Sequence, residues 1–251
     1  MEKNLAAKID ISYFDLRLIA IIAMFIDHLG YIFFPDAIWM RIVGRLAFPI
    51  FAFQIVEGFS YTSDFVKYCN RLFVFAFISE IPYNLMINPR MPINPFRQNV
   101  LWTLLLGLLA IKAIDEVQKL NISGVSKCLI CGIITIAAYF VGVHFNLDYY
   151  GAGVLTVIVF YFGRNVEHGK FFEFLGMFYI NFTILSAGKT MFFINGQRMY
   201  FSIQAFAILA LIPIWLYKGN KGYSSKLWHK FCYWFYPAHM MILALIGGIE
   251  M

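Results

Sequence analysis

The stretch that decides the fold runs from Leu16 to Phe34 and reads LRLIAIIAMFIDHLGYIFF. Apart from Arg17 near its start and the pair Asp27-His28, it is apolar throughout. Its length matches the ~20 residues an α-helix needs to cross the hydrocarbon core. It follows Lys3 and Lys8, as a signal peptide would, but it is too long for a signal core and no small-residue cleavage site comes after it. It therefore reads as a retained first span.

Eight further apolar blocks follow: Ile38–Tyr61, Tyr68–Ile87, Asn99–Ile114, Val125–His144, Tyr149–Phe162, Phe171–Ala187, Tyr200–Tyr217 and Phe231–Ile249. The sixth span is short enough to be tilted or re-entrant, and the seventh can run on to Phe193, so eight to ten spans are compatible with the pattern. The expected architecture is an all-α, polytopic helix bundle of about nine spans, forming a single domain over residues 1–251. One connection is irregular: Asn88 to Asn99 carries Pro89, Pro92 and Pro95 and cannot be helical throughout.

Composition agrees. Of 251 residues, 61% are hydrophobic and only 14% charged, whereas a soluble domain keeps roughly a quarter charged. Too few polar side chains remain to coat a water-facing surface. The net charge of +6 belongs to membrane topology rather than to nucleic acid, for no soluble basic domain accompanies it. With the amino terminus inside, 14 of the 20 lysines and arginines fall on the cytoplasmic side. That bias predicts a cytoplasmic amino terminus in a multi-pass cell-membrane protein. Cys128 and Cys131 form a lone C-x-x-C without a second half-site and read as packing residues, so no metal is expected.

Ionisable residues inside spans cost ~2.5–3.5 kcal/mol each on insertion scales and need partners or a wet cavity. Here they are Asp27, His28, Arg45, Glu57, Glu80 and His239, with Asp148 at the mouth of the sixth span. One reading is a set of structural ion pairs, such as Arg45 with Glu80. The other is a functional cluster. Arg17 and His28 are 11 positions apart, about three turns, and so share one helix face about 17 Å apart along the axis. Ile21 and Met24 fall on the same stripe and are expected to line a channel between them. A cation at the cytoplasmic mouth and an imidazole deeper in suit an elongated anionic ligand such as coenzyme A.

His28 can take or give a proton at working pH. Glu80 or Asp148 is expected to orient it, and His239 can join at mid-depth. Asp27 points ~100° away and is better placed to bond another helix, while still belonging to the cluster. Glu57 is expected to pair with Arg17 or Arg71 in the cytoplasmic half.

These residues sit in segments that resemble the TraX family. The segments are Phe14-Asp15-Leu16-Arg17 with Asp27-His28-Leu29-Gly30, Gly44-Arg45-Leu46-Ala47-Phe48-Pro49 with Val56-Glu57-Gly58, Ile78-Ser79-Glu80-Ile81-Pro82-Tyr83-Asn84, Tyr150-Gly151-Ala152-Gly153 and Phe235-Tyr236-Pro237-Ala238-His239. The likeness covers almost the whole chain. It implies acetylation of pilin-like amino termini or of other cell-surface acceptors. It also implies kinship with membrane acyltransferases that carry an arginine, ten residues and a histidine in the first span.

The resemblance makes acetyl coenzyme A the expected acyl donor. His28, Asp27, Glu80 and Asp148 form the candidate catalytic set. Arg17, Met24, Arg45, Glu57 and Arg71 form the candidate coenzyme-binding set, Arg45 alternatively serving charge on the thioester oxygen. The expected partners are the lipid bilayer and an acyl acceptor, with no nucleic acid. Two rivals remain from the residues alone: a proton- or ion-coupled transporter, and a non-catalytic assembly scaffold.

Overall fold

The computed structural model describes residues 10–164, 166–186, 189–194 and 197–249. Its first half comprises α1 (Tyr13–Phe33), α2 (Ile38–Gly44), α3 (Ala47–Tyr61), α4 (Phe65–Ile87) and α5 (Val100–Lys119). The second half comprises α6 (Gly124–His144), α7 (Tyr150–Arg164), α8 (Gly169–Tyr179), α9 (Leu211–Leu216) and α10 (Lys226–Ile249). Helix α8 widens into a π turn over Ile180–Ile184, closed by the Leu185 amide donating to the Ile180 carbonyl at 2.9 Å. A tight 3-10 segment, Ile203–Ala210, leads into α9.

Each expected apolar block coincides with a helical element, with two differences. The second block is broken at Arg45-Leu46 into α2 and α3. After the seventh block, and reaching into the first residues of the eighth, two strands pair antiparallel, β1 (Lys189–Ile194) with β2 (Gln197–Ser202). The sequence between these strands is Asn-Gly, a hairpin-turn signal that an apolarity scan passes over. Lys3, Lys8 and the end of the seventh block at Ala187 lie outside the described residues.

Four helical stretches among the described residues are long and apolar enough to cross a membrane: Tyr13–Phe33, Ile38–Tyr61, Gly124–His144 and Lys226–Gly248. The 38–61 stretch is 61% buried within the protein, against 11% for α6, so α3 lies near the bundle axis and α6 on the outside. Val125, Leu129, Ile133, Ile136 and Phe140 all face outward from α6. An apolar surface of that kind is what lipid covers.

Local sequence starts the helices. Ser12 caps α1 through a reciprocal capping box with Asp15, which accounts for the acid two residues before Arg17. Asp64, Asn99 and Ser123 cap α4, α5 and α6. Small residues then set the helix separations. A side chain at Gly107 would strike Val157, and one at Gly153 would strike Thr103, so α5 and α7 can approach closely only because both are glycine.

Gly44 ends α2 against Asp27 of α1: a Cβ there would stand 2.2 Å from Asp27 Oδ1 and 2.3 Å from Asp27 Cβ. Gly44→Ala must therefore move the carboxylate or the helix. Overpacking of this kind costs about 1–3 kcal/mol. The detergent-purified variant is expected to unfold at a lower temperature than the parent, by tryptophan fluorescence; an unchanged transition would mean the contact has slack.

Candidate functional site

Several helix ends and connections meet at one end of the bundle. The carboxyl ends of α1 and α4, the proline loop, the α6–α7 connection and the segments around Leu185 and Ser202 all line a single polar cavity. Its acidic and basic lining is Asp27, His28, Arg41, Arg45, Arg97 and Asp148, with Tyr31, Tyr83, Tyr149 and Tyr150 beside them.

Asp27 is its anchor. The carboxylate accepts from Arg45 Nη2 at 2.9 and 3.0 Å, and Arg41 Nη1 lies 2.9 Å from Oδ1. Arg41 also reaches the Asp27 carbonyl at 3.0 Å. Arg45 spends its other donors on the Arg41 carbonyl and on Gln204 Oε1, at 3.2 Å each. Its guanidinium is thus committed within the protein, which removes it as the free donor expected for thioester charge and as a partner for Glu80. The neighbour in sequence, His28, faces the other way. Its Nδ1 lies 2.8 Å from Nε2 of His239 on α10.

Asp148 keeps partial solvent contact through the cavity yet is surrounded by protein. Desolvation pushes its carboxyl up to about 6, while Arg97 and Arg45 pull the other way. Arg97, from the proline loop, donates to the Tyr83 hydroxyl at 3.0 Å.

A second cavity, mostly apolar, runs along the amino-terminal half of α1. Arg17, Ile21, Met24, Gln54, Tyr68 and Tyr236 are in its wall. Arg17 donates to Gln54 Oε1 at 3.1 Å and to the Tyr13 hydroxyl at 2.7 Å. Arg71 does not line this cavity; its guanidinium lies over the rings of Tyr68 and Tyr233, which do.

The expected single channel is therefore corrected. Arg17, Ile21 and Met24 line one cavity and His28 lines another. Between them pack Met24, Tyr83, Met86, Tyr236 and Met240, a buried apolar cluster drawn from α1, α4 and α10. The stripe on α1 is real, but side chains from other helices divide the space along it. A shared channel no longer supports the functional reading.

Two acids also go elsewhere. Glu80 Oε1 accepts from the Asn99 amide at 3.0 Å, from the Asn99 side chain, and from Trp102 Nε1 at 2.8 Å. It fastens the start of α5 to α4 and is not hydrogen-bonded to His28. Glu57 is buried at 2% exposure, paired with Arg164 and accepting from the Tyr217 hydroxyl at 3.0 Å. It meets neither Arg17 nor Arg71, because Arg164 at the end of α7 reaches it first.

Sequence reasoning did not single out Arg41 and Arg97, which read as loop charges. A second arginine four residues before Arg45, on the same helix face, was the available signal. No group of three His, Cys, Asp or Glu side chains able to hold a metal occurs among the described residues.

The chain is matched over residues 13–247 by the family model described as TraX protein. It is 40% identical over 117 residues to the probable fimbrial assembly protein FimC, serogroup H1, of Dichelobacter nodosus, covering 43% of this chain and 48% of that protein. It is 36% identical over 66 residues to the uncharacterized protein RP591 of Rickettsia prowazekii (strain Madrid E), covering 26% of this chain and 25% of that one. The matched part is thus about half of the first relative and a quarter of the second. No solved structure matches.

Removing the Asp27 carboxylate leaves Arg41 and Arg45 facing each other unpaired. Breaking a buried pair from one side costs about 3–5 kcal/mol. Asp27→Ala is expected to lose folded, monodisperse protein in detergent, read by size-exclusion chromatography and thermal unfolding. Glu80→Gln, with its donors still partly satisfied, should be milder.

Proposed function

The chain belongs to the TraX family, and on that premise we propose that it is a membrane-embedded acyltransferase moving an acetyl group from acetyl coenzyme A to an amine or hydroxyl acceptor. The observation that carries this reading is His28, hydrogen-bonded to His239 in the wall of a cavity with three arginines and two aspartates. An imidazole held by a second group beside cationic side chains can remove an acceptor's proton where negative charge develops.

In this reading the amino terminus lies in the cytosol and the chain makes about nine crossings of a bacterial cytoplasmic membrane, which the excess of lysine and arginine on the amino-terminal side supports. The polar cavity then opens on the far face and the Arg17 cavity on the cytosolic one. Coenzyme A phosphates would meet Arg17 and Arg71 from the cytosol, and the acyl arm would have to displace the packed side chains of Met24 and Tyr236 to reach His28. The acceptor would enter the polar cavity beside the proline loop. The likeness to a protein named as a fimbrial assembly protein favours a pilus-related acceptor, such as the amino terminus of a pilin-like peptide.

In the transfer, the acceptor's N–H or O–H proton goes to the free ring nitrogen of His28 and its nitrogen or oxygen bonds to the thioester carbon. The C–S bond breaks, and the leaving thiolate recovers the proton from the imidazolium. If the imidazole instead carries the acetyl group, one equivalent of thiol appears before acceptor is added.

Purified protein with acetyl coenzyme A and an amine-bearing peptide should release free thiol. His28→Ala is expected to abolish release while remaining inserted and folded; full activity in that variant ends the proposal. A protein that releases no thiol but moves a solute across vesicles would be a transporter instead. Arg17→Ala should raise the KM for acetyl coenzyme A at least several-fold with a smaller change in kcat. An unchanged KM removes Arg17 from the donor site.

A further inference from the structure

We propose that His239 is a positioning residue: it holds His28 in the tautomer that keeps the proton on Nδ1 and leaves the Nε2 lone pair for chemistry. Its catalytic consequence rests on the acyl-transfer reading, but the hydrogen-bond chain itself does not.

The chain starts at a group that can only accept. The carbonyl oxygen of Phe235, one turn earlier on α10, lies 2.6 Å from His239 Nδ1. A carbonyl has no proton to give, so His239 Nδ1 must donate. A neutral imidazole carries one N–H, so His239 Nε2 is then an acceptor. His28 Nδ1 lies 2.8 Å from it and must supply the proton. The polarity of the whole chain is set by one backbone oxygen. His28 Nε2 is left bare, and it has no hydrogen-bond partner among the described residues.

The ring geometry suits this direction. The two imidazoles are inclined by only 4°, with centroids 5.0 Å apart. That separation is the nitrogen–nitrogen distance extended by one ring radius at each end. The rings therefore meet edge to edge in nearly one plane, along the lone-pair direction of Nε2, rather than face to face. His239 is fixed in turn by Phe235, whose ring lies parallel to it at 4.7 Å, and by the edge contact of Phe25 at 6.2 Å. His239 is 4% exposed, so water is a poor substitute for either bond.

The arrangement also explains what the acids are doing. A catalytic histidine is commonly oriented by a carboxylate. Here Asp27 serves two arginines and Glu80 serves the start of α5. The imidazole of His239 occupies the position a carboxylate would take, and orients without adding a charge.

The test uses the full-length protein in nanodiscs, with three variants at one position. In His239→Gln the amide can donate to the Phe235 carbonyl and accept from His28, so activity should stay within about tenfold of the parent. In His239→Phe the ring volume remains but no acceptor faces His28. There kcat should fall by roughly 100-fold or more, the scale of a lost general base, while the KM for acetyl coenzyme A stays within a few-fold. His28→Ala serves as the zero. Nitrogen-15 spectra of histidine-labelled protein read the tautomer directly: the parent should show a protonated Nδ1 and bare Nε2 on His28, and His239→Phe should populate the opposite form.

A protonated Nε2 on His28 in the parent overturns the proposal, whether or not the variants fold. So does a Gln variant as impaired as the Phe variant when both are folded, or a Phe variant with parental kcat. A parent that releases no thiol but shows the stated tautomer sinks the acyl-transfer reading and leaves the positioning role standing.

Discussion

Asp27 held between Arg41 and Arg45 is the contact on which the site depends. Successive residues on a helix point ~100° apart, so anchoring Asp27 against α2 fixes the rotation of α1 and thereby aims His28 at α10. The break between α2 and α3 serves the same contact. It lets Arg45 leave the helix line and come back onto the carboxylate with two bonds, while Gly44 gives up its side chain so that Asp27 can approach. Buried ion pairs gain little net stability, because desolvation offsets attraction. What such a pair contributes is a single arrangement, since any rotation of α1 strands three charges at once.

The two cavities follow from a similar constraint. Ionisable side chains inside a membrane protein need a polar chamber, whereas a continuous polar path between the two faces would be a water-filled leak. The packed methionines and tyrosines between Arg17 and His28 interrupt such a path. Methionine side chains are flexible and unbranched, so Met24, Met86 and Met240 fill the irregular space between the two cavities without a gap. In the acyl-transfer reading, the partition that spoils the simple channel is what keeps the two faces of the membrane apart.

Much of the frame was legible before any coordinates. Apolar blocks are a one-dimensional signal: each of the nine overlaps a helical element, and four helical stretches among the described residues are long and apolar enough to cross a membrane. Apolarity alone did not reveal the hairpin, whose strands mix polar and apolar residues, or the break at Arg45, which lies inside an apolar run. Within the site, His28, Asp27 and Asp148 were found as polar residues out of place, and they do share a cavity. Their partners were not found. Glu57 meets Arg164 and Glu80 meets Asn99 and Trp102 through contacts between helices, and spacing along one helix carries no information about which neighbour arrives first.

His239 marks the boundary between these two kinds of knowledge. Its type and depth made it a candidate, but its role is visible only from direction: a backbone oxygen on one side and an imidazole on the other. A histidine that both donates and accepts is neither a second base nor a spare ligand; it passes on an orientation. Because that orientation originates in the main chain of α10, it does not depend on the ionisation of any acid nearby. Fixing the imidazole from a neutral carbonyl leaves Asp27 to Arg41 and Arg45, with no carboxylate drawn away from that ion pair to orient His28.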